Sequence, residues 1–292
     1  MKSRKEKIVG LLALLLVYLV ALTAAFFLFR LLDGKVPVLV NVLLCDIAAT
    51  LIVWLSGIFL GTASVYDPYW SVQTFFIYLG LLIYYGNWNL FTIVVLITLA
   101  LYSIRLTGNF IMGFHSLSYV DWRYEMLREK SGCFFQLVNL FGICMFPTLV
   151  VYSASLPLFV YASLDHFTYW DFVGILVILF GVGLELVSDL QMKSFLKHRA
   201  SREEVIDIGL WRYSRHPNYL GEILIWFGAY LVLFASHPGY WYLAFGAIIN
   251  LLMFLFISIP MEEKHMKAYK SALNEYIETT SVLLLLPRKK KD

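Results

Sequence analysis

The residues around Pro217 are of the types that bind an anionic cofactor. Arg212 and Arg215 carry planar guanidinium groups that donate paired hydrogen bonds to phosphate oxygens. Pro217 is typical of the first turn of a helix, and the free N–H groups at a helix N-terminus favour phosphate. Asn218 and Glu222 are four residues apart, so they lie on one face of that helix. The pattern predicts a phosphate-binding turn, although helix capping and interfacial anchoring would use the same residues.

A second cluster is a charged stripe with a spacing of four residues. Glu185, Asp189, Lys193 and Lys197 share one helical face, on which the acids precede the bases. Carboxylates accept hydrogen bonds from ribose hydroxyls or from an amide, and lysines pair with phosphates. The stripe therefore predicts a surface that faces a ligand. The alternative interpretation is a helix end at the membrane interface whose charges pair with one another.

A third group combines a phenol with a cation. Tyr102, Arg105 and Asn109 are spaced so that they share a helical face. A tyrosine phenol can donate a hydrogen bond to a substrate carbonyl, and the arginine beneath it can meet a phosphate. The alternative is that Tyr102 anchors the helix at the membrane interface.

Two smaller groups complete the set of candidate residues. The segment 66–70, Tyr-Asp-Pro-Tyr-Trp, concentrates acidic and aromatic side chains, including Asp67, at a turn that Pro68 explains only in part. In the tail, His265 and Tyr269 are four residues apart and can face the same cavity. Taken singly, each of these residues is also common at protein surfaces.

The elements that position these groups are predicted to be membrane-spanning helices. The chain has 292 residues, of which 60% are hydrophobic and 15% charged, whereas soluble domains carry about 25% charged residues. A bilayer is crossed by roughly 20 apolar residues. The last two apolar runs can form one hairpin, so we expect an all-α, polytopic transmembrane helix bundle of seven to eight spans. The apolar runs lie at 8–32, 38–63, 71–85, 88–105, 135–161, 170–188, 219–235 and 241–259.

The distribution of basic residues predicts the orientation of the bundle. With eight spans both termini lie on one side, and the segments on that side contain every Lys and Arg except Arg30 and Lys35. Lys and Arg concentrate in the cytoplasmic loops of membrane proteins. We therefore expect cytoplasmic N- and C-termini and polar clusters that face the cytoplasm, in a bacterial inner membrane or an endoplasmic reticulum.

Several other classes of function have little support in the sequence. The six histidines are scattered and show no metal-ligand spacing. The three cysteines form no CxxC motif and no disulfide framework. The basic residues are spread over separate loops, which argues against nucleic-acid binding. Gly181 and Gly183 lie inside a span and lack the third glycine of the dinucleotide fingerprint, so close helix packing is the better explanation for them.

Six segments together resemble the steroid 5-alpha-reductase superfamily, specifically its widespread prokaryotic-type branch long labelled as of unknown function. They are Tyr-Asp-Pro-Tyr-Trp-Ser at 66–71, Arg-Leu-Thr-Gly-Asn at 105–109, Asp-Trp-Arg-Tyr at 121–124, Glu-Leu-Val-Ser-Asp-Leu-Gln at 185–191, the polar segment 209–222 and the tail 261–287. The stretch 214–222 is also similar to isoprenylcysteine carboxyl methyltransferases. The motifs at 66–71 and 105–109 make the resemblance to the reductases more specific.

The resemblance implies a helical membrane reductase that binds NADPH from the cytoplasm and transfers hydride to the β-carbon of an α,β-unsaturated ketone. Tyr102 matches the tyrosine that polarises the carbonyl in that family. Asp67 is the candidate for its acidic partner, where the steroid enzymes have a Gln-Glu pair. The predicted cofactor-contacting residues are Arg105, Asn109, Glu185, Asp189, Lys193, Arg212, Arg215, His216, Asn218, Tyr219, Glu222, His265 and Tyr269.

The length of the chain suits one compact bundle of spans with no separate soluble domain, and the resemblance implies its reductase-like core and its second substrate. Residues 1–292 would form a single integral membrane domain, with two N-terminal spans in 1–63 and a reductase-like core in 64–287. The second substrate would be a hydrophobic enone, such as a steroid, a sterol precursor or a polyprenyl-like lipid, reached from the bilayer. Two other functions are open: an S-adenosylmethionine-dependent membrane methyltransferase that uses the segment 215–219, and a non-enzymatic lipid binder.

Overall fold

The structure, a computed structural model, describes residues 2–118, 120–270 and 272–289. Within these ranges the chain is helical and forms no β-strand, so the prediction of an all-α fold is confirmed. Two π-helical segments, Asn139–Met145 and Phe254–Ser258, interrupt the regular helices. The α-helices are α1 (Lys2–Leu32), α2 (Val38–Leu60), α3 (Tyr69–Tyr85), α4 (Leu90–Gly113), α5 (Trp122–Ser131), α6 (Phe135–Val138), α7 (Phe146–Tyr161), α8 (Asp171–His198), α9 (Pro217–Ser236), α10 (Ala244–Met253), α11 (Ile259–Lys267) and α12 (Leu273–Thr279).

Seven helical segments in the described parts of the chain are long and apolar enough to cross a membrane. The remaining predicted run, 71–85, coincides with α3, which has 17 residues and is therefore somewhat shorter than the ~30 Å hydrocarbon core of a bilayer. A polytopic membrane protein is thus confirmed, while the side on which the termini lie stays a prediction. The seven segments are Arg4–Leu32, Val38–Leu60, Leu90–Gly113, Trp122–Tyr161, Asp171–His198, Pro217–Ser236 and Pro238–Lys267.

A proline closely follows each π-helical segment. Asn139–Met145 precedes Pro147, and Phe254–Ser258 precedes Pro260. Proline has no N–H group to donate to the carbonyl one turn earlier, so regular α-helical hydrogen bonding cannot run through it. A local change to the wider π register is one way in which a helix accommodates such an interruption. The prolines therefore account for the irregular stretches in these two long apolar segments.

The chain divides into two compact units, Met1–Ser153 and Ala154–Asp292. In the first unit α1 packs along α2. The side-chain amide of Asn41, in the first turn of α2, donates a hydrogen bond of 2.9 Å to the carbonyl oxygen of Phe29 near the end of α1. This bond satisfies one of the carbonyl groups that a helix end leaves unpaired. The predicted division of the chain at residues 63 and 64 stays a prediction.

In the second unit α8 and α9 approach each other backbone to backbone. A Cβ atom added at Gly174 would lie 2.4 Å from the backbone nitrogen of Val232. At Gly181 it would lie 2.6 Å from the carbonyl oxygen of Gly221, whereas at Gly183 it would meet nothing within 4 Å. Close packing therefore explains Gly181 but not Gly183. The crossing places the start of α9 beside the charged stripe of α8.

Candidate functional site

The turn that carries Asp67 folds back along α2. From Asp46 the helix continues to Leu60, over roughly 21 Å at 1.5 Å per residue. Gly61 ends the helix with a left-handed backbone conformation, φ 73°. Tyr69, at the start of α3, nevertheless returns to hydrogen-bond the side chain of Asp46 at 2.7 Å. Residues 61–68 therefore run back beside α2, a path that the turn predicted at Pro68 did not specify.

Contacts with α1 and α2 hold this turn in place. A Cβ atom added at Gly57 would lie 2.9 Å from the carbonyl oxygen of Thr62, so a side chain at that position would displace the turn. The hydroxyl of Tyr18 on α1 donates a hydrogen bond of 2.8 Å to the carbonyl oxygen of Val65. Irregular backbone between membrane helices is tolerated where the protein itself satisfies its polar groups. Specific contacts with α1 and α2 therefore fix the position of this turn in the first unit.

Asp67 accepts a hydrogen bond from the hydroxyl of Tyr124 on α5. Asp121 caps α5 by accepting a hydrogen bond of 2.9 Å from the backbone N–H of Arg123. The Arg123 guanidinium also binds both oxygens of Asp121, at 2.8 and 2.9 Å. These contacts join the sequence motifs 66–71 and 121–124. Burial raises the pKa of Asp67 to about 6, and the hydrogen bond from Tyr124 opposes that rise.

The first unit also contains the face of α4 that carries Tyr102, Arg105 and Asn109. Tyr102 is fully buried, and its predicted pairing with Asp67 stays a prediction. Farther along α4, the hydroxyl of Thr107 shares a hydrogen bond of 2.8 Å with the hydroxyl of Ser71 on the first turn of α3. This bond brings the end of the Asp67 turn next to α4. The two partly exposed members of the face are Arg105 and Asn109.

In the second unit the predicted acidic residues Glu185 and Glu222 are both buried. They lie on adjacent helices, because a Cβ atom added at Gly221 would be 2.4 Å from the Cγ atom of Glu185. The indole N–H of Trp226 donates a hydrogen bond of 2.8 Å to Oε1 of Glu222. The α8–α9 crossing therefore brings two carboxyl groups of the predicted site into one region. The partly exposed residues of the α8 stripe and of the first turn of α9 are Asp189, Lys193 and Asn218.

Arg215 and His216 share a carboxylate that the sequence did not single out. Nε of Arg215 lies 2.9 Å and Nε2 of His216 lies 3.2 Å from Oε1 of Glu263. The ring of His216 stacks on Tyr219, with centroids 5.2 Å apart and an interplanar angle of 7°. These three predicted residues are therefore brought together at the start of α9. Arg212 is exposed on the preceding turn.

Arg215 also fastens the C-terminal segment. Its Nη1 atom donates hydrogen bonds to the carbonyl oxygens of Ile277 and Thr280, at 2.5 and 3.2 Å. The hydroxyl of Tyr276 donates a hydrogen bond of 2.5 Å to the carbonyl oxygen of Trp211. The tail thus folds back onto the segment that precedes α9. Arg215 was predicted from its type to bind phosphate. In the structure it holds the C-terminal segment against the start of α9.

A cavity of about 400 Å³ that opens widely to the surface lies in the second unit and is lined by Arg199, Arg202, His265 and Tyr269, of which Arg202 and Tyr269 are exposed. Arg199 follows the C-terminal end of α8. His265 lies in α11, and Tyr269 lies just after it. The next residue, Lys270, is only 9% exposed. Burial and the neighbouring Arg199 guanidinium hold the pKa of Lys270 below its ordinary value. The lining has the charge and the hydrogen-bond donors that suit an anionic group.

The sequence predicted part of this arrangement. It singled out His265 and Tyr269, but it used Arg199 and Arg202 only to orient the bundle. The basic run that follows α8 was the available signal. Tyr124 and Glu263 lie in segments that carry the resemblance, but they were assigned no role from the sequence because their partners are distant along the chain. Within the described ranges, no group of three or more His, Cys, Asp or Glu side chains could hold a metal ion.

The fold is that of a helical membrane protein, and its second unit contains the cationic cavity lined by Arg199 and Arg202. The chain belongs to a family described as "Protein of unknown function (DUF1295)", whose model matches residues 53–280. It is 24% identical over 221 residues to the uncharacterized protein C594.04c of Schizosaccharomyces pombe (strain 972 / ATCC 24843). That match covers 67% of this chain and spans 64% of the length of the yeast protein. No solved structure matches the chain.

Proposed function

We propose that the protein is a membrane-embedded, NADPH-dependent reductase that transfers hydride to the C=C bond of an α,β-unsaturated ketone lipid. The resemblance of its motifs to the steroid 5-alpha-reductase superfamily suggests the reaction. The polytopic helical fold suits a lipid-phase substrate. The clusters of polar and cationic residues in the two units supply groups of the kinds that this reaction needs.

The cationic cavity of the second unit is the observation that carries the proposal. Arg199 and Arg202 line it together with His265, and the buried Lys270 is adjacent in the chain. Neighbouring guanidinium and ammonium groups repel one another, and a bound phosphate offsets that repulsion. NADPH carries a pyrophosphate and a 2′-phosphate, and NADH lacks the 2′-phosphate. S-adenosylmethionine has no phosphate and carries a positive sulfonium, so it suits such a cavity less well.

Tyr102 and Asp67 would polarise and orient the enone. When bound, NADPH supplies the hydride that the β-carbon receives, and a proton from solvent completes the reduction at the α-carbon. In this proposal Tyr102 donates a hydrogen bond to the substrate carbonyl, which makes the β-carbon more electrophilic. Because the phenol is fully buried, that hydrogen bond would form in a low-dielectric environment, where it is stronger than in water. Asp67, whose pKa is raised to about 6, would be the acidic partner of Tyr102.

The second substrate would enter from the lipid phase. The spanning helices expose large apolar side chains, among them Phe27, Phe59 and Phe256, as expected for surfaces that contact acyl chains. A steroid, a sterol precursor and a polyprenyl-like enone all fit this description. The polar end of such a lipid is the carbonyl that Tyr102 would bind.

The test is an enone reduction assay with the protein reconstituted in lipid nanodiscs. Loss of NADPH absorbance would be followed with steroid and polyprenyl enones, and methyl transfer from S-adenosylmethionine to lipid would be measured in parallel. We expect enone-dependent NADPH oxidation that Tyr102→Phe lowers by about a hundredfold or more. The control is Tyr78→Phe, which alters a buried tyrosine that hydrogen-bonds the carbonyl of Thr92 at 3.4 Å. Methyl transfer without NADPH oxidation would overturn the proposal.

A further inference from the structure

Asp46 is a buried carboxyl group that the proposed reaction does not use. It lies on α2, one of the spanning segments, and is only 4% exposed. Ionisable side chains inside membrane segments are costly and usually have a specific function. An apolar residue could pack α2 against its neighbours without that cost. The hydrogen bonds of Asp46 therefore need an explanation.

Two side chains from the first turns of α3 converge on Asp46. The hydroxyl of Tyr69 donates a hydrogen bond of 2.7 Å to Oδ1 of Asp46. The amide of Gln73 donates to Oδ2. Tyr69 and Gln73 are four residues apart, so one face of α3 delivers both donors to one carboxyl group. A carboxyl that accepts at both oxygens fixes the rotation and the height of α3 relative to α2.

Thr148 connects the contacts of Asp46 to Tyr66, the residue that precedes Asp67. The amide of Gln73 also donates to the carbonyl oxygen of Thr148 at 3.3 Å. The hydroxyl of Thr148 shares hydrogen bonds with the hydroxyls of Tyr66, at 2.8 Å, and of Thr50, at 3.0 Å. Thr50 is one turn after Asp46 on α2. Tyr66 and Tyr69, which flank Asp67, are therefore both anchored in one network of buried hydrogen bonds.

We propose that Asp46 is a positioning residue for Asp67. By holding Tyr69 and Gln73, it fixes the point at which α3 begins, and with it the turn that presents Asp67 to the site. The inference rests on the proposed function, in which Asp67 is part of the reaction centre. Asp46 itself contacts neither substrate nor cofactor in this proposal.

The first arm of the test measures the turn itself and does not depend on enzymatic activity. Hydrogen–deuterium exchange of residues 61–69 would be compared in wild type, Asp46→Ala and Asp46→Asn. Asn keeps a carbonyl oxygen for Tyr69 and replaces Oδ2 with an N–H₂ group. Gln73 can accept from that group by turning its amide over, which uses its oxygen, without a hydrogen-bond partner in the described residues, and gives up its 3.3 Å hydrogen bond to Thr148. We expect exchange in this segment to accelerate by about ten- to a hundredfold in Asp46→Ala and to return close to wild type in Asp46→Asn.

The second arm measures catalysis with an enone. We expect Asp46→Ala to lower kcat by about ten- to a hundredfold, because a small misplacement of a catalytic group has an effect of that size. The KM for NADPH should not change, and Asp46→Asn should restore kcat. If Asp46→Ala does not fold, Tyr69→Phe removes one of the two donors while keeping the ring, and the same two measurements apply.

The outcomes separate this inference from the proposed function. A loosened turn together with a lowered kcat, both rescued by Asn, supports the inference. An unchanged turn, or a full kcat in a folded Asp46→Ala protein, overturns it. Wild-type protein that binds no NADPH and reduces no enone overturns the proposed function instead. In that case the exchange experiment still decides whether Asp46 holds the turn.

Discussion

The contact between Gly221 and Glu185 allows a quantitative prediction for the second unit. The added Cβ atom of Gly221→Ala would lie 2.4 Å from Cγ of Glu185, 2.7 Å from the carbonyl oxygen of Gly181 and 3.1 Å from the backbone nitrogen of Glu185. Two of these neighbours are backbone atoms, which cannot rotate away. Helices α8 and α9 must therefore separate by about 0.5–1 Å, and we expect the overpacking to lower the free energy of unfolding by about 1–3 kcal/mol.

Gly183→Ala is the matched control, because its Cβ atom would meet nothing within 4 Å. In a helix this substitution is expected to be neutral or to stabilise by about 0.5–1 kcal/mol, since alanine has the higher helix propensity. Both variants would be compared in one detergent by thermal unfolding followed with tryptophan fluorescence. Each kcal/mol is expected to lower the Tm by about 2–4 °C in a protein of roughly this size.

The displacement should also move the carboxyl group of Glu185, a predicted cofactor contact. Gly221→Ala is therefore expected to reduce the stabilisation by NADPH, whereas Gly183→Ala should leave it unchanged. If Gly221→Ala unfolds at the same temperature as Gly183→Ala, the close approach of α8 and α9 is wrong. If it lowers the Tm but leaves NADPH binding intact, Glu185 is no cofactor contact.

Four further predictions concern the turn and the tail. Tyr124→Phe removes a hydrogen bond that favours the ionised form of Asp67, so the limb of the pH–rate profile near pH 6 should move to higher pH, and Asp67→Asn should abolish that limb. Because the pKa of Asp67 is raised by folding, its contribution to stability is present below about pH 4 and is lost as the pH rises through about 6, a dependence that Asp67→Asn should remove from pH-dependent melts. Arg215→Ala removes the donor to the carbonyl groups of Ile277 and Thr280 and leaves Glu263 with His216 alone, so we expect a loss of about 1–3 kcal/mol and faster proteolysis of the tail; unaltered proteolysis would contradict the role of Arg215 in fastening the tail. Gly57→Ala should displace the turn and lower the Tm, whereas Gly80→Ala, which meets nothing within 4 Å, should not.

The helices were predictable because their apolar runs are long. Each predicted run falls largely within a helical segment of the described chain, and α4 and α8 extend well beyond their runs. Helix α4 ends at Gly113 where the predicted run ended at 105, and α8 ends at His198 where the run ended at 188. Apolarity marks only the part of a helix that contacts lipid, while polar residues continue the same helix outside it. The existence of the helices was thus predicted better than their ends.

The path of the Asp67 turn was not predictable from local sequence. Pro68 and Gly61 indicate a turn, but its return along α2 depends on the space at Gly57 and on the hydrogen bond from Tyr18 to Val65. Both contacts are long-range and leave no periodic signal in the sequence. For the same reason the sequence placed an acidic group at this turn without identifying its hydrogen-bond donor.

In the candidate cofactor site, too, local features were predictable from the sequence and long-range contacts were not. The spacing of four residues predicted that Glu185 and Glu222 lie on helices, because helical periodicity is a local property. The close approach of these two helices is a tertiary contact, which the spacing did not predict. The cavity beside His265 requires the end of α8 and the end of α11 to converge, which is a tertiary contact. Arg199 and Arg202 therefore entered the site only with the structure.

The central claim is that the cationic cavity of the second unit binds the phosphate groups of NADPH. The most direct test is the thermal stability of the purified protein with NADPH, NADH or S-adenosylmethionine in excess. The variants would be Arg199→Ala and Arg202→Ala, with Arg30→Ala, an exposed arginine on α1, as the control.

A ligand that binds only the folded state stabilises it by about 2.7 kcal/mol at a hundredfold excess over its Kd. We predict that NADPH raises the Tm more than NADH does, that both cavity variants weaken the NADPH shift, and that Arg30→Ala retains it. A shift with S-adenosylmethionine alone, or an NADPH shift that survives both cavity variants, would contradict the account.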